Sequence, residues 1–90
     1  PGTDLVFRYH NDGHPNQTCA FLVANIFYAA ITGKSPEGLT FNSVTENKLK
    51  NGKDPDGGEP TVVFDKKEKA YLQRMASEAV LEFNRGSSAL

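Results

Sequence analysis

The longest apolar run of the chain, from Cys19 to Ile31, is interrupted only by Asn25, and it constrains the fold more than any other segment. As a helix this run extends about 20 Å at 1.5 Å per residue, which is short of the roughly 30 Å hydrocarbon core of a bilayer. We therefore expect a helix buried in a protein core and no membrane partner.

The flanking residues set the predicted ends of this first helix. Asn16 occupies a position suited to an N-cap and Gly33 one suited to the C′ residue, which predicts a helix over about 17–32. Its expected buried stripe, spaced by three and four residues, consists of Cys19, Leu22, Val23, Ile26, Phe27 and Ala30. Much of the remaining circumference is also apolar, through Phe21, Ala24, Tyr28 and Ile31. A helix that is apolar nearly all round needs cover on more than one side, so we expect part of the cover to come from outside this chain.

The other segments predict short extended elements and long connections. Residues 4–9 alternate in polarity and are expected to be extended, and residues 10–16 are expected to form a loop. Gly, Pro, Asn, Asp and Lys dominate residues 34–60, which predicts a long connection with one short ordered element. Within it, residues 51–59 are expected to be a mobile surface excursion. A short strand is predicted over residues 61–64.

A second helix is predicted over about 66–84. Asp65 and Glu68 have the spacing of a capping box, and Gly86 is expected to end the helix. Its predicted buried stripe consists of Leu72, Met75, Ala76, Ala79, Val80 and Phe83. The side chains expected to face water are Lys69, Gln73, Arg74, Ser77, Glu78 and Glu82. The chain by itself is therefore predicted to be mainly α, with two helices and short extended segments.

Composition narrows the class of protein without naming it. Ninety residues fit one small domain with a marginal core. Ten basic and eleven acidic side chains give a net charge of -1, so there is no electrostatic reason to expect a nucleic-acid partner. The single cysteine, Cys19, excludes an internal disulfide and leaves the compartment open, with secreted and periplasmic locations among the alternatives.

His14 is the first candidate for a catalytic residue. Pro15 restricts its backbone to extended geometry, and Asp12 lies two residues before it. An imidazole held beside a carboxylate at the start of a rigid helix is a typical arrangement for a general base. A histidine in a loop rich in Asn, Asp and Gly is also an ordinary surface feature, so local chemistry leaves both interpretations open.

Metal sites are the weaker interpretation of the polar residues. A zinc site would have to draw on His10, Asp12, His14 and Cys19, but the loop is not helical and Pro15 follows. Asp54, Asp56 and Glu59 suggest calcium, but the EF-hand pattern fails because Val63 stands where an acidic residue is required. A solvated loop is the better prediction there, and we expect neither a metal nor a cofactor.

Three stretches together resemble the last conserved block of the SGNH/GDSL-type serine hydrolases. The first is His14-Pro15-Asn16, the second is FYAAITGKSP over residues 27–36, and the third is AYLQRMA over residues 70–76. In that family a D-x-x-H-P-[NS] loop opens a helix that ends in a similar FYA…TG-x-SP string. The resemblance covers the chain from about residue 9 to residue 83.

The resemblance implies that these residues are the C-terminal portion of a single three-layer α/β domain of flavodoxin-like SGNH fold. Such domains hydrolyse esters, often acetyl groups on carbohydrates, through a Ser-His-Asp triad, and His14 would be the base. The family's Asp lies three residues before its His, where this chain has Asn11, while Asp12 lies two before. Either residue is therefore a candidate for orienting the ring.

The motifs that hold the nucleophile and the oxyanion hole in the family are not found in this chain. The expected partners are therefore the remainder of the hydrolase domain, from upstream residues or another chain, which would cover helix 17–32, and an ester substrate. The alternative is a non-catalytic helical interaction module that docks through the same helix.

Overall fold

The computed structural model describes residues 5–88 and contains two helices and one small sheet. The elements follow in the order α1 (Gln17–Thr32), β1 (Ser43–Thr45), β2 (Thr61–Val63) and α2 (Lys66–Ser88). The strands pair antiparallel with Val44 opposite Val62. Helix α2 packs along α1, and both strands contact α1. A chain with two helices and short extended segments is therefore confirmed at this level of description.

Helix α1 has the predicted ends, and the predicted caps explain them. The side chain of Asn16 accepts a hydrogen bond from the backbone N–H of Cys19 at 3.1 Å. At the other end Gly33 has a φ of 71°, and its N–H donates to the carbonyl of Ala29. A left-handed residue at this point favours glycine, because a side chain there is strained.

The buried face of α1 is not the predicted stripe. The buried residues are spaced by four and consist of Gln17, Phe21, Asn25 and Ala29. Of the predicted stripe, Cys19, Leu22 and Ile26 are half-buried, and Val23, Phe27 and Ala30 are exposed. Hydrophobicity cannot choose between the sides of a helix that is apolar all round, so the available partners decide which side is buried.

Phe21 shows which partners decide the orientation of α1. Its ring centroid lies 4.6 Å from that of Phe64 and 5.0 Å from that of Phe41. Together Phe21, Phe64 and Leu72 form the buried apolar cluster of the described residues. Phe21 belongs to α1, Phe64 follows β2 directly, and Leu72 belongs to α2. The cluster therefore packs both helices and the end of the sheet together.

The orientation of α1 leaves a row of large apolar side chains in solvent. Val23, Phe27 and Ile31, each four residues apart, are 37%, 61% and 83% exposed. Within residues 5–88 this side of α1 is therefore not covered by the rest of the chain.

Helix α2 begins as predicted and ends later. The carboxylate of Asp65 accepts a hydrogen bond from the backbone N–H of Glu68 at 2.7 Å, as an N-cap does. The helix continues to Ser88, so the prediction that Gly86 ends it is wrong. One glycine inside a helix costs about 1 kcal/mol relative to alanine, which does not suffice to stop the helix.

The predicted faces of α2 need correction at three positions. Leu72 and Ala76 are buried as predicted, but Ala79 and Phe83 are exposed. Gln73, which was expected to face water, is 2% exposed, and its amide donates to the carbonyl of Leu39 at 3.3 Å. The long connection passes over this side of the helix and presents a backbone acceptor there, so a polar side chain can be buried.

The extended segment predicted over residues 4–9 forms less regular structure than expected. Residue 4 lies outside the described residues, and within 5–9 the chain makes a single antiparallel bridge, from Arg8 to Pro15. Within residues 5–88 neither helix is long and apolar enough to cross a membrane.

Phe21→Ala is expected to lower the free energy of unfolding of the 90-residue chain by about 3–5 kcal/mol, because it opens a cavity in the buried cluster that Phe21 forms with Phe64 and Leu72. The exposed Phe27→Ala is the matched control and is expected to change this free energy by only about 0.5 kcal/mol. Urea denaturation followed by circular dichroism measures both. Equal losses in the two variants would contradict the observed orientation of α1.

Candidate functional site

His14 lies on a short hairpin that leads directly into α1. The backbone N–H of Tyr9 donates to the carbonyl of His14 at 2.8 Å, and the N–H of Gly13 donates to the carbonyl of Tyr9 at 3.0 Å. Gly13 has a φ of 72°, a conformation that allows the turn to close just before His14. The guanidinium of Arg8 also donates to the carbonyl of Gly13. The backbone of His14 is thus held from both sides.

The Asp12 carboxylate contacts His14 at two points. Its Oδ1 accepts a hydrogen bond from the backbone N–H of His14 at 2.9 Å, and its Oδ2 lies 3.1 Å from the ring nitrogen Nδ1. The His14 side chain is 61% exposed and that of Asp12 is 32% exposed. Because the carboxylate engages Nδ1, the opposite nitrogen Nε2 is the one available to exchange a proton at the surface.

These contacts favour the charged form of Asp12, which is already the form at neutral pH for a carboxyl at its ordinary pKa. The backbone N–H of His14 is the main cause that places the pKa of the Asp12 carboxyl below its ordinary value, and the hydrogen bond from the ring acts in the same direction. The carboxylate is therefore ionised at neutral pH, which is the state that can stabilise an imidazolium beside it.

Asn11, the other candidate for orienting the ring, is engaged elsewhere. Its side-chain amide donates to the carbonyl of Pro55 at 2.7 Å, and its backbone N–H donates to Asp56 Oδ1 at 2.8 Å. Of the two candidates it is therefore Asp12 that contacts the His14 ring. The two-residue spacing works because Gly13, the residue between them, adopts the left-handed conformation.

Residues 51–59, predicted to be a mobile excursion, are tied down by hydrogen bonds. Asn51 and Gly52 have φ values of 54° and 76°, and Lys50 and Lys53 exchange backbone N–H···O bonds of 2.8 and 3.0 Å across them. Positive φ at both central residues is the property of a type I′ turn, for which Asn-Gly is a strongly preferred sequence.

Asp54 corrects the prediction of a solvated loop, because it is buried. Its Oδ1 accepts from the backbone N–H groups of Asp56 and Gly58 at 2.9 and 2.8 Å. Its Oδ2 accepts from the amide of Gln17 at 3.1 Å. Burial raises the pKa of the Asp54 carboxyl, but the hydrogen bonds from Gln17, Gly58 and Asp56 outweigh it and hold the pKa below its ordinary value. Asp54 is therefore a buried anion that orders its own loop.

Other polar groups around the hairpin do not form a metal centre. Residues 5–88 contain no group of three or more His, Cys, Asp or Glu side chains that could hold a metal ion. Cys19 is half-buried on α1.

A surface cavity of about 430 Å³ lies beside the Asp12 carboxylate and is lined by Asn11, Asp12, Lys48, Leu49, Lys50 and Pro55.

Sequence reasoning missed the structural roles of Gln17 and Asp56. Gln17 reaches Asp54, and Asp56 accepts hydrogen bonds from the backbone of residues 10 and 11. The Asp54-Pro55-Asp56-Gly57 string does predict a turn, but not what that turn contacts. The contacts join residues 37 to 46 positions apart, so no local pattern could reveal them.

Comparison of the chain with protein-family models, with curated proteins and with solved structures found no match. The likeness to the SGNH/GDSL hydrolases therefore depends on the three quoted stretches alone.

In an acid titration followed by ¹³C NMR, the pKa of the Asp12 carboxyl is expected below its ordinary value of 3.8. His14→Ala should return it only part of the way, because alanine keeps the backbone N–H that is the main cause. Since the folded-state pKa is the lower one, the contribution of Asp12 to stability is present above the unfolded-state pKa and is lost as the pH falls through the folded-state value. A complete return in His14→Ala would show that the ring alone holds the carboxylate.

Proposed function

We propose that this chain is the C-terminal part of a serine ester hydrolase of the SGNH/GDSL type and supplies its catalytic base, His14. The observation that carries the proposal is the 3.1 Å contact between His14 Nδ1 and Asp12 Oδ2, with the ring exposed at the surface. His14 begins the His14-Pro15-Asn16 motif, which leads into the helix that ends in the similar FYAAITGKSP stretch, and Asp12 lies two residues before that motif. The substrate class that the resemblance suggests is an acyl ester, including acetyl esters of carbohydrates.

The proposed chemistry uses Nε2 of His14 as base and then as acid. Nε2 takes the proton of a serine hydroxyl while the serine oxygen attacks the ester carbonyl, and it then gives that proton to the departing alkoxide, leaving an acyl-serine. In the second half, Nε2 takes a proton from water, the hydroxide attacks the acyl-serine, and the proton returns to the serine oxygen. Asp12 fixes the tautomer of the ring and stabilises the imidazolium in both halves. The serine and the oxyanion donors come from outside these ninety residues.

The shift of the carboxylate from the family's position to Asp12 is compatible with this chemistry. An asparagine at position 11 can accept a hydrogen bond but cannot stabilise an imidazolium as a carboxylate does. Asp12 supplies a carboxylate that is ionised at neutral pH, and its contacts with His14 lower its pKa further. The Asp12 contact thus supports a functional pair despite the changed spacing.

The exposed apolar row on α1 supports the second part of the proposal, that further protein covers this helix. Val23, Phe27 and Ile31 lie on one line of the helix and are all exposed. Contiguous apolar surface of this kind marks a protein interface. In the proposed hydrolase the remainder of the domain, from upstream residues or another chain, packs here.

The same apolar row favours one alternative from a different class, a non-catalytic helical interaction module. In that case the row is a docking face for a partner protein, and His14 is dispensable. The two proposed functions therefore differ in whether His14 is required, and a single substitution at that residue distinguishes them.

In the full-length protein, His14→Ala is expected to lower kcat for p-nitrophenyl acetate by about 10³- to 10⁶-fold, because the nucleophile loses its base. His10→Ala is the matched control, since it removes the other histidine of the hairpin but keeps the backbone N–H bonded to Asp56. Circular dichroism checks that both variants are folded. Turnover retained in folded His14→Ala would refute a catalytic role for this residue.

Asp12→Ala in the same assay is expected to lower kcat by about 10²- to 10⁴-fold, because the ring loses the group that fixes its tautomer. Asn11→Ala is expected to cost less than about 10-fold, because its backbone N–H still bonds to Asp56. A larger loss in Asn11→Ala than in Asp12→Ala would assign the orienting role to Asn11 instead.

A further inference from the structure

The hairpin that carries His14 is clamped by a second loop, residues 54–58, from far along the chain. Asp56 engages it with both carboxylate oxygens: Oδ2 accepts from the backbone N–H of His10 at 2.8 Å, and Oδ1 accepts from that of Asn11 at 2.8 Å. A third bond runs from the Asn11 amide to the carbonyl of Pro55. All three bonds reach the hairpin at the two residues immediately before Asp12.

Two consecutive N–H groups bound by one carboxylate fix the backbone more tightly than a single bond does. Hydrogen bonds to an ionised acceptor are shorter and stronger than neutral ones, and the paired geometry also restricts rotation of the peptide plane between His10 and Asn11. The direction in which the chain enters Asp12 depends on that peptide plane. The position of the Asp12 carboxylate is thus coupled to Asp56.

The 54–58 loop is itself anchored to α1. Buried Asp54 holds the loop through the N–H groups of Asp56 and Gly58, and its other oxygen accepts from Gln17 in the first turn of the helix. Since His14 lies three residues before Gln17, the contacts form a closed circuit. Gln17 in the helix binds Asp54, Asp54 binds the backbone of Asp56, and Asp56 binds the hairpin. The hairpin is in turn joined to the helix by the backbone.

We propose that Asp56 is a positioning residue for the Asp12–His14 pair: through the N–H groups of His10 and Asn11 it fixes the turn that sets the Asp12 carboxylate against the His14 ring. The catalytic meaning of this role rests on the proposed ester hydrolase function, while the geometric role does not. Asp56 holds the hairpin by its backbone N–H groups, so its effect on the pair is exerted through the backbone.

Asp56 can be changed without disturbing the core. Its side chain is exposed, and it is not a member of the buried cluster of Phe21, Phe64 and Leu72. Glu59 offers a matched control three residues later, because it is an exposed carboxylate that pairs with Lys53 at 2.7 Å. Replacing either removes one negative charge from the same excursion, but only Asp56 holds the hairpin.

The test uses the full-length protein in wild-type form and as Asp56→Ala, Asp56→Asn and Glu59→Ala. Two quantities are measured: kcat and KM for p-nitrophenyl acetate, and the ¹⁵N chemical shifts of the His14 ring nitrogens, which report which nitrogen carries the proton. Asp56→Ala is expected to lower kcat about 10- to 100-fold with KM within about twofold, because a displaced base costs rate more than binding. The population of His14 rings with the proton on Nδ1 is expected to fall in parallel.

Two further results are expected if the role is positional. Asp56→Asn should lie between wild type and Asp56→Ala, because an amide oxygen can accept from one of the two N–H groups but its nitrogen cannot accept from the other. Glu59→Ala should match wild type in both measurements.

The proposal is overturned if Asp56→Ala and Asp56→Asn leave both kcat and the His14 ring signals as in wild type, or if Glu59→Ala changes them equally. Failure of the ester hydrolase function would appear differently, as absence of His14-dependent turnover in the wild-type protein. In that case the ¹⁵N shifts of the His14 ring alone test the positioning role of Asp56. Loss of the Nδ1–H form in Asp56→Ala supports that role, and unchanged shifts refute it.

Discussion

The side-chain amide of Gln17 is the contact on which the arrangement around the hairpin depends. Its Nε2 lies 3.1 Å from Asp54 Oδ2 and 3.1 Å from the carbonyl of Pro60, and 3.4 Å from that of Glu59. One buried group thereby connects the N-terminus of α1 to both ends of the 54–60 segment. Without it the buried Asp54 carboxylate would keep its bonds from Asp56 and Gly58 but lose its bond from Gln17, and a buried charge with fewer hydrogen bonds is costly. The hairpin, the second loop and the helix are therefore one polar assembly and not three independent surface features.

Helix α1 buries two polar side chains while it leaves several large apolar side chains exposed. The buried face carries Phe21 and Ala29 but also Gln17 and Asn25, while larger apolar side chains lie in solvent. Asn25 meets part of its polar requirement by donating to the carbonyl of Phe21 at 2.7 Å, and its Oδ1 has no partner among the described residues. An unsatisfied buried acceptor costs about 1–3 kcal/mol. The contacts of Phe21 with Phe64 and Phe41, and of Gln17 with Asp54, thus determine which side of the helix turns inward.

The parts of this structure that sequence could predict are those with local causes. The ends of α1 follow from Asn16 and Gly33, and the start of α2 follows from Asp65, because a cap acts on backbone groups within one turn. The nearness of His14 to an acidic side chain also has a local cause, although sequence left Asn11 and Asp12 as alternatives. The burial of Asp54 and Gln73 was beyond prediction, because each depends on an acceptor or donor more than thirty residues away.

The long separation between the hairpin and its clamp has a consequence for how the protein folds. Helix α1 and its caps involve only neighbouring residues, so they can form early, whereas the bonds from Asp56 close loops of 45 and 46 residues. Closing loops of this length has an entropic cost that must be met before the contacts stabilise anything. Because a chain is synthesised from its N-terminus, the residues of the His14 hairpin are also added before residues 54–58, which hold them. The His14 hairpin can therefore reach its final geometry only after residues 54–58 are present and the loop between them has closed.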